Sequence, residues 1–276
     1  MPQPLQFSIE RLVPGASARA ARIALFDFDG TVSLIRSGWM DSMLDMMLPV
    51  LEELSPEENR ADLRTLMTGL VAELIGKPTI YQMIAFNEQV RLRGGTPEDP
   101  AVSKARYLAR LMDVMGVRRE RLRSGADAPE RHLVPGTIEL LHGLRDRGLT
   151  LCLASGTEEP FLIEETALLG LDVFFQGRIW GARDADPSFT KQTVVRNLVQ
   201  SYGLKAGELL GFGDGADDIV NFRAPGGIAI GLATSEPACD RVDPAKRERL
   251  MRAGAHAIIP HYLGRIELFD MLFPPA

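Results

Sequence analysis

The run Ala24-Leu-Phe-Asp-Phe-Asp-Gly-Thr31 constrains this chain more than any other stretch. Ile23 to Phe28 is apolar and too short for a helix, so it reads as a buried strand delivering Asp27 and Asp29 at its carboxyl end. Alternating side-chain direction points residues 27 and 29 the same way. Gly30 then lets the chain leave through a conformation other residues resist. Two acidic groups at a buried strand end repel each other and lose hydration, and a protein keeps such a pair only with a cation or a shared proton.

The remaining pattern says what surrounds this strand. Met40, Met43, Leu44, Met47, Leu48 and Leu51 fall at helical spacing, as do Leu63, Leu66, Met67, Leu70, Val71 and Leu74. Helical patterns follow near Thr79 to Leu92 and Val102 to Met115, and a small-residue linker runs from Arg123 to Pro129. Beyond it the rhythm changes. Helices are expected from Val134 to about Arg147, Glu158 to Leu169 and Thr190 to Tyr202. Strands are expected over Leu149–Ala154, Val173–Ile179, Leu209–Gly213, Gly227–Leu232 and His256–Ile259. Such alternation predicts an α/β fold with a Rossmann-like parallel sheet covered on both faces. The organisation is therefore an N-terminal arm over 1–21, an α/β core over 22–37 and 131–276, and an inserted α-helical cap over 38–130. Ligands of such sheets bind at the carboxyl edge of the strands.

Further stations fall at that edge. Leu151 to Thr157 reads as a strand handing Ser155 and Gly156 to a turn at a helix start, an anion cradle or, more plainly, a helix cap. Lys191 lies in the first turn of its helix, where a cation opposes the macrodipole, so a role in holding phosphate or neutralising a carboxylate is expected. Leu209 to Asp218 places Asp214 at a strand end, with Asp217 and Asp218 after it. The glycine pattern there does not fit a dinucleotide fingerprint. Neither acidic cluster fits an EF-hand loop, and oxygen ligands from two strand ends suit magnesium. The formal charge of −6 and pI near 5.4 speak against a nucleic-acid scaffold. Cys152 and Cys239 make no disulfide framework, residues 1–22 hold no signal-peptide core, and no run reaches the ~18 to 20 apolar residues of a membrane span, so a cytoplasmic protein is expected. His132, His142, His256 and His261 have no metal-ligand spacing and read as structural. The sequence carries no signal for oligomeric state.

Asp27-Phe-Asp-Gly-Thr31, Ser155 after an apolar strand, Lys191, and Gly213-Asp-Gly-Ala-Asp-Asp218 resemble the four motifs of the haloacid dehalogenase superfamily, in the family's order. The helical insert matches the position of that family's type one cap, as in phosphoglycolate phosphatases and beta-phosphoglucomutases. For the third motif, Lys205 and Arg196 stand as alternatives to Lys191. The resemblance implies Asp27 as nucleophile forming an aspartyl phosphate, and Asp29 as general acid and then base. Thr31, Ser155, Gly156 and Lys191 would hold phosphate. Magnesium would be bound by Asp27, Asp29 through its carbonyl, and Asp214, with Asp218 supporting that shell. An acid at position 29 favours phosphate esters over the family's dehalogenases. The expected activity is hydrolysis of a small phosphorylated metabolite, with no nucleic-acid or membrane partner; a sugar phosphomutase, or a non-catalytic sugar-phosphate-binding protein, is the alternative. Arg36, Trp39, Lys77 and Arg93 are candidates for cap residues facing the pocket.

Overall fold

The computed structural model describes residues 7–75, 77–183 and 189–275. Strand β1 (Glu10–Arg11) precedes β2 (Ile23–Phe26), after which the chain leaves the sheet for four helices: α1 (Trp39–Leu54), α2 (Arg60–Ala72), α3 (Ile80–Leu92) and α4 (Pro100–Arg123). It returns through α5 (Thr137–Asp146), β3 (Thr150–Glu158), α6 (Glu159–Leu168), α7 (Asp172–Phe175) and β4 (Ile179–Ala182). There follow α8 (Lys191–Tyr202), β5 (Leu209–Gly213), α9 (Ala216–Arg223), β6 (Ile228–Leu232), α10 (Pro244–Ala253), β7 (Ala257–Ile259) and α11 (Arg265–Leu272).

The strands form one sheet in the order β1-β7-β6-β5-β2-β3-β4, parallel throughout except for β1, which runs antiparallel to β7. Each face is closed by its own apolar layer because side chains alternate along the strands. Ala24 and Phe26 point into the layer holding Leu140, Leu162, Phe175 and Leu268, whereas Ile23 and Leu25 point into the one holding Val194, Ile219 and Leu250. Helices α1 to α4 pack around a third apolar cluster of Met43, Met47, Met67, Met83, Phe86 and Met115. Unbranched Met fills the uneven gaps between helices that cross there.

Register positions the functional edge. Phe26 lies beside Leu153 on β3 and Phe212 on β5. Three neighbouring strands therefore bring Asp27, Ser155 and Asp214 close to one level. Moreover, β2 leads to β3 on one side while β5 flanks it on the other, so the order reverses at β2, where α/β sheets open a crevice for ligands.

Several local expectations are corrected. β2 ends at Phe26, two residues earlier than its apolar run suggests, because Gly30 turns the chain at φ +72°. The Val173–Ile179 segment is not one strand: Asp172–Phe175 forms a helical turn that buries Phe174 and Phe175, and the strand begins at Ile179. Strand β3 continues to Glu158, so Ser155 and Gly156 lie within it, and neither caps a helix. Within the N-terminal arm, Glu10 and Arg11 pair with Ile258 and Ala257.

Under the carboxyl edge, Phe212 stacks on Phe26 at 4.7 Å and meets Tyr262 edge-on at 6.0 Å. Phe212→Ala opens a cavity here and is expected to cost about 3–5 kcal/mol. Equilibrium urea denaturation should show this as a lowered midpoint at an unchanged slope.

Candidate active site

A tight turn builds the site. Amides of Thr31, Val32 and Ser33 converge on the Phe28 carbonyl at 2.9–3.3 Å, and Gly30 N–H donates to the Ser33 carbonyl at 2.9 Å. Asp27 N–H still donates to the Phe212 carbonyl at 2.9 Å, which anchors the acid to β5. A Cβ on Gly30 would collide with the Asp214 carboxylate and come within 2.9 Å of Glu236 Oε1, so only glycine permits both the turn and the approach of these acids.

Asp27, Lys191, Asp214 and Asp218 are all buried together. The Lys191 Nζ bridges Asp27 Oδ1 and Asp218 Oδ1. Thr31 Oγ1 donates to Asp27 Oδ2 at 3.3 Å, and Asp218 Oδ2 accepts from Gly215 N–H at 3.1 Å. Burial pushes the Asp27 and Asp218 carboxyls up, with Lys191 pulling against it. Burial works against the ammonium too, but Asp218 and Asp27 outweigh it and hold Lys191 above an ordinary lysine. The alternatives Lys205 and Arg196 are exposed.

Asp29 faces the same cavity in a different setting. Its Oδ2 accepts from Thr157 Oγ1 at 2.8 Å, and its Oδ1 is buried without a hydrogen bond, 4.0 Å from Arg36 Nε. Burial raises its pKa to about 7, against the pull of the Arg36 guanidinium. Arg36 is itself committed to Glu165, donating from Nε at 2.8 Å and from a second nitrogen at 3.0 Å, with Glu165 fully buried. Burial thus raises both neighbouring acids, and what differs is the cation beside each: Asp27 touches the Lys191 ammonium, whereas Asp29 stands 4.0 Å from a guanidinium already paired with Glu165.

The cavity measures about 80 Å³. Asp27, Asp29, Asp214, Ser155 and Thr157 form its polar side, while Trp39, Ile75 and Leu111 close it from the helical side. Gly156 lets the Lys77 carbonyl pass close to β3, since a Cβ there would sit 2.8 Å from that oxygen. Of the pocket candidates on the insert and the segment leading into it, Arg36, Trp39 and Lys77 line the cavity. Arg93 does not; it pairs with Glu58 at 2.7 Å on the helical bundle.

Three residues escaped the sequence reading. Lys246 Nζ lies 2.8 Å from Asp214 Oδ2 and 2.6 Å from Glu236 Oε1, and Glu165 holds Arg36 from α6. Lys246 had one legible signal, because Asp243-Pro244 marks a helix start and places it in the first turn. The acids carry none, since their partners are remote in sequence. For a hard divalent cation the donors fit: oxygens of Asp27, Asp214 and Asp218 lie within 4.8 Å of one another, and Asp214 Oδ1 is buried with no hydrogen-bond partner.

A parallel α/β sheet with acids and an ammonium at its switch point defines the class, and comparison supplies the family. The sequence model of haloacid dehalogenase-like hydrolases matches residues 21–224, and the chain belongs to that family. A search of curated proteins found no match. Solved structures share the fold at low identity. A predicted phosphoglycolate phosphatase from Haemophilus somnus 129PT is 14% identical, with 90% of this chain and 98% of that one covered at a TM-score of 0.56. A family hydrolase from Deinococcus radiodurans R1, solved with bound phosphate and sodium, is 17% identical over 94% and 100% at 0.54. A predicted phosphatase from Clostridium acetobutylicum is 20% identical over 86% and 93% at 0.52. Among the described residues no helix is long and apolar enough to cross a membrane.

Breaking a buried ion pair from one side leaves an uncompensated charge. Arg36→Met should therefore lower stability by about 3–5 kcal/mol, whereas Arg36→Met combined with Glu165→Met should recover most of that loss. A double-mutant cycle by urea denaturation reads the difference.

Proposed function

We propose that the chain is a phosphatase that hydrolyses a small-molecule phosphate monoester through an aspartyl phosphate on Asp27. The observation carrying this reading is the division of labour between two acids on one small cavity. Asp27 is in contact with a buried ammonium, while Asp29, two residues on, has its pKa raised to about 7.

The chemistry follows from that division. An Asp27 carboxylate oxygen attacks phosphorus, the bond from phosphorus to the ester oxygen breaks, and Asp29 gives its proton to the departing alcohol. Asp29, now ionised, takes a proton from water as the water oxygen bonds to phosphorus and the acyl phosphate opens. Inorganic phosphate leaves, and both acids return to their starting states. The main obstacle is one anion approaching another. Lys191 offsets it directly, since unit charges 4 Å apart interact by about 4 kcal/mol even at an effective dielectric of 20. Ser155 lines the cavity beside Asp27, and Thr31 donates its hydroxyl to the Asp27 carboxylate.

Magnesium would be held by Asp27, the Asp29 carbonyl and Asp214, with Asp218 supporting the arrangement, and when bound it supplies further positive charge to the transferring phosphoryl group. The free buried oxygen of Asp214 supports that assignment. The helices α1–α4 act as the cap that covers the phosphorylated metabolite. Two free, buried cysteines support a reducing cytoplasmic setting.

Asp27→Asn should reduce phosphate release from generic esters by about 10³-fold or more. Asp29→Asn should discriminate by leaving group. Turnover of an alkyl phosphate should fall about 10²–10⁴-fold. With p-nitrophenyl phosphate, an initial burst of nitrophenolate should persist while steady-state turnover collapses. An Asp27→Asn variant as active as wild type would reject the mechanism. A sugar monophosphate converted to its isomer without free phosphate would replace hydrolysis with mutase chemistry.

A further inference from the structure

Lys246 is a second buried ammonium at the same sheet edge, and the mechanism above does not use it. It stands in the first turn of α10, whose N-cap Asp243 accepts from the Lys246 backbone N–H at 2.8 Å. A cation there opposes the helix macrodipole, as Lys191 does at the start of α8. Helix stability therefore accounts for neither position. The Lys246 ammonium lies between two acids, 2.8 Å from Asp214 Oδ2 and 2.6 Å from Glu236 Oε1. Its partner Glu236 is fixed from another direction by Ser37, whose hydroxyl donates to Oε2 at 3.0 Å.

Two further facts connect this pair to the cation site. Lys246 takes Asp214 Oδ2, and the Oδ1 of the same carboxylate is the buried oxygen with no partner. Counting charges is equally pointed. Asp27, Asp214, Asp218 and Glu236 face Lys191 and Lys246, four negative groups against two positive ones, joined by direct contacts. At formal charge the excess is two, which one divalent cation neutralises.

We propose that Lys246 is a positioning and charge-setting residue of the cation site: held by Glu236, it occupies one oxygen of Asp214, reserves the other for the ion, and tempers the site's affinity. The inference rests on the reading that Asp27 and Asp214 hold a divalent cation. Removing the ammonium leaves the cluster more negative and the ion without a competitor. Removing the Glu236 charge does the opposite, although both changes break the same ion pair.

The test is Mn²⁺ binding to metal-stripped, full-length protein, read from the electron paramagnetic resonance signal of free Mn²⁺. Lys246→Met should tighten binding about tenfold or more, and Glu236→Gln should weaken it by a comparable factor. Lys246→Arg, which keeps the charge, should stay within about threefold of wild type. Near-ultraviolet circular dichroism checks folding; should Lys246→Met fail to fold, weakening by Glu236→Gln beside the near-wild-type Lys246→Arg supports the inference, and unchanged binding by Glu236→Gln overturns it. Shifts of Lys246→Met and Glu236→Gln in the same direction, or of neither beyond about twofold, overturn the charge-setting role alone. Wild-type protein that binds no Mn²⁺, or Asp214→Asn that binds it as tightly as wild type, overturns the cation reading and this inference with it.

Discussion

The contact of Lys191 with Asp27 and Asp218 is the interaction on which the rest of the site depends. Three strands meeting at one level concentrate carboxylates where there is little water to solvate them, and burial alone would drive those groups to protonate. A single ammonium from α8 reaches two of them at once. Asp27 and Asp218 are thereby each paired with the same cation, and Asp218 accepts through its other oxygen from the Gly215 amide that opens α9. The cost appears in the helix, whose first turn carries a cation that its own dipole disfavours.

Around that contact the molecule sorts charge by neighbourhood. Asp214 is matched by Lys246, and Asp29 is left nearest to Arg36, which is already bound twice by Glu165. A guanidinium whose charge is shared with a buried acid exerts only part of its pull on Asp29, which lets burial raise that carboxyl to about 7. Arg36 also belongs to the segment joining the sheet to the helices. Arg118 on α4 donates to the carbonyls of Ile35 and Ser37 at 2.7 and 2.8 Å, so the same joint that carries Arg36 is gripped by the helical bundle. The segment that carries the guanidinium nearest Asp29 is thus fastened to the helices that line the cavity.

Much of this was legible before any coordinates. Apolar runs bounded by glycine located β2, β5 and β6, because a strand buried on both faces has no freedom to be polar. Helical periodicity located α1 to α4 for the corresponding reason. Reading failed where local pattern and packing disagree. Val173 to Ile179 resembles a strand, yet Phe174 and Phe175 are buried by a helical turn. Ser155-Gly156 resembles a turn, yet the strand runs on to Glu158. Glu10 and Arg11 found a partner only because β7 presents an open edge to them.

What the sequence by itself determined is the alternation that makes a parallel sheet and the placing of Asp27, Asp29, Lys191 and Asp214 at or near element ends. Both follow from short-range rules of period and turn. Only the tertiary structure decided which cation faces which acid. Lys246 with Asp214, and Arg36 with Glu165, are pairs made by strand order and helix packing. Coulomb attraction acts through space between groups that the chain separates, and no local pattern in one sequence records it.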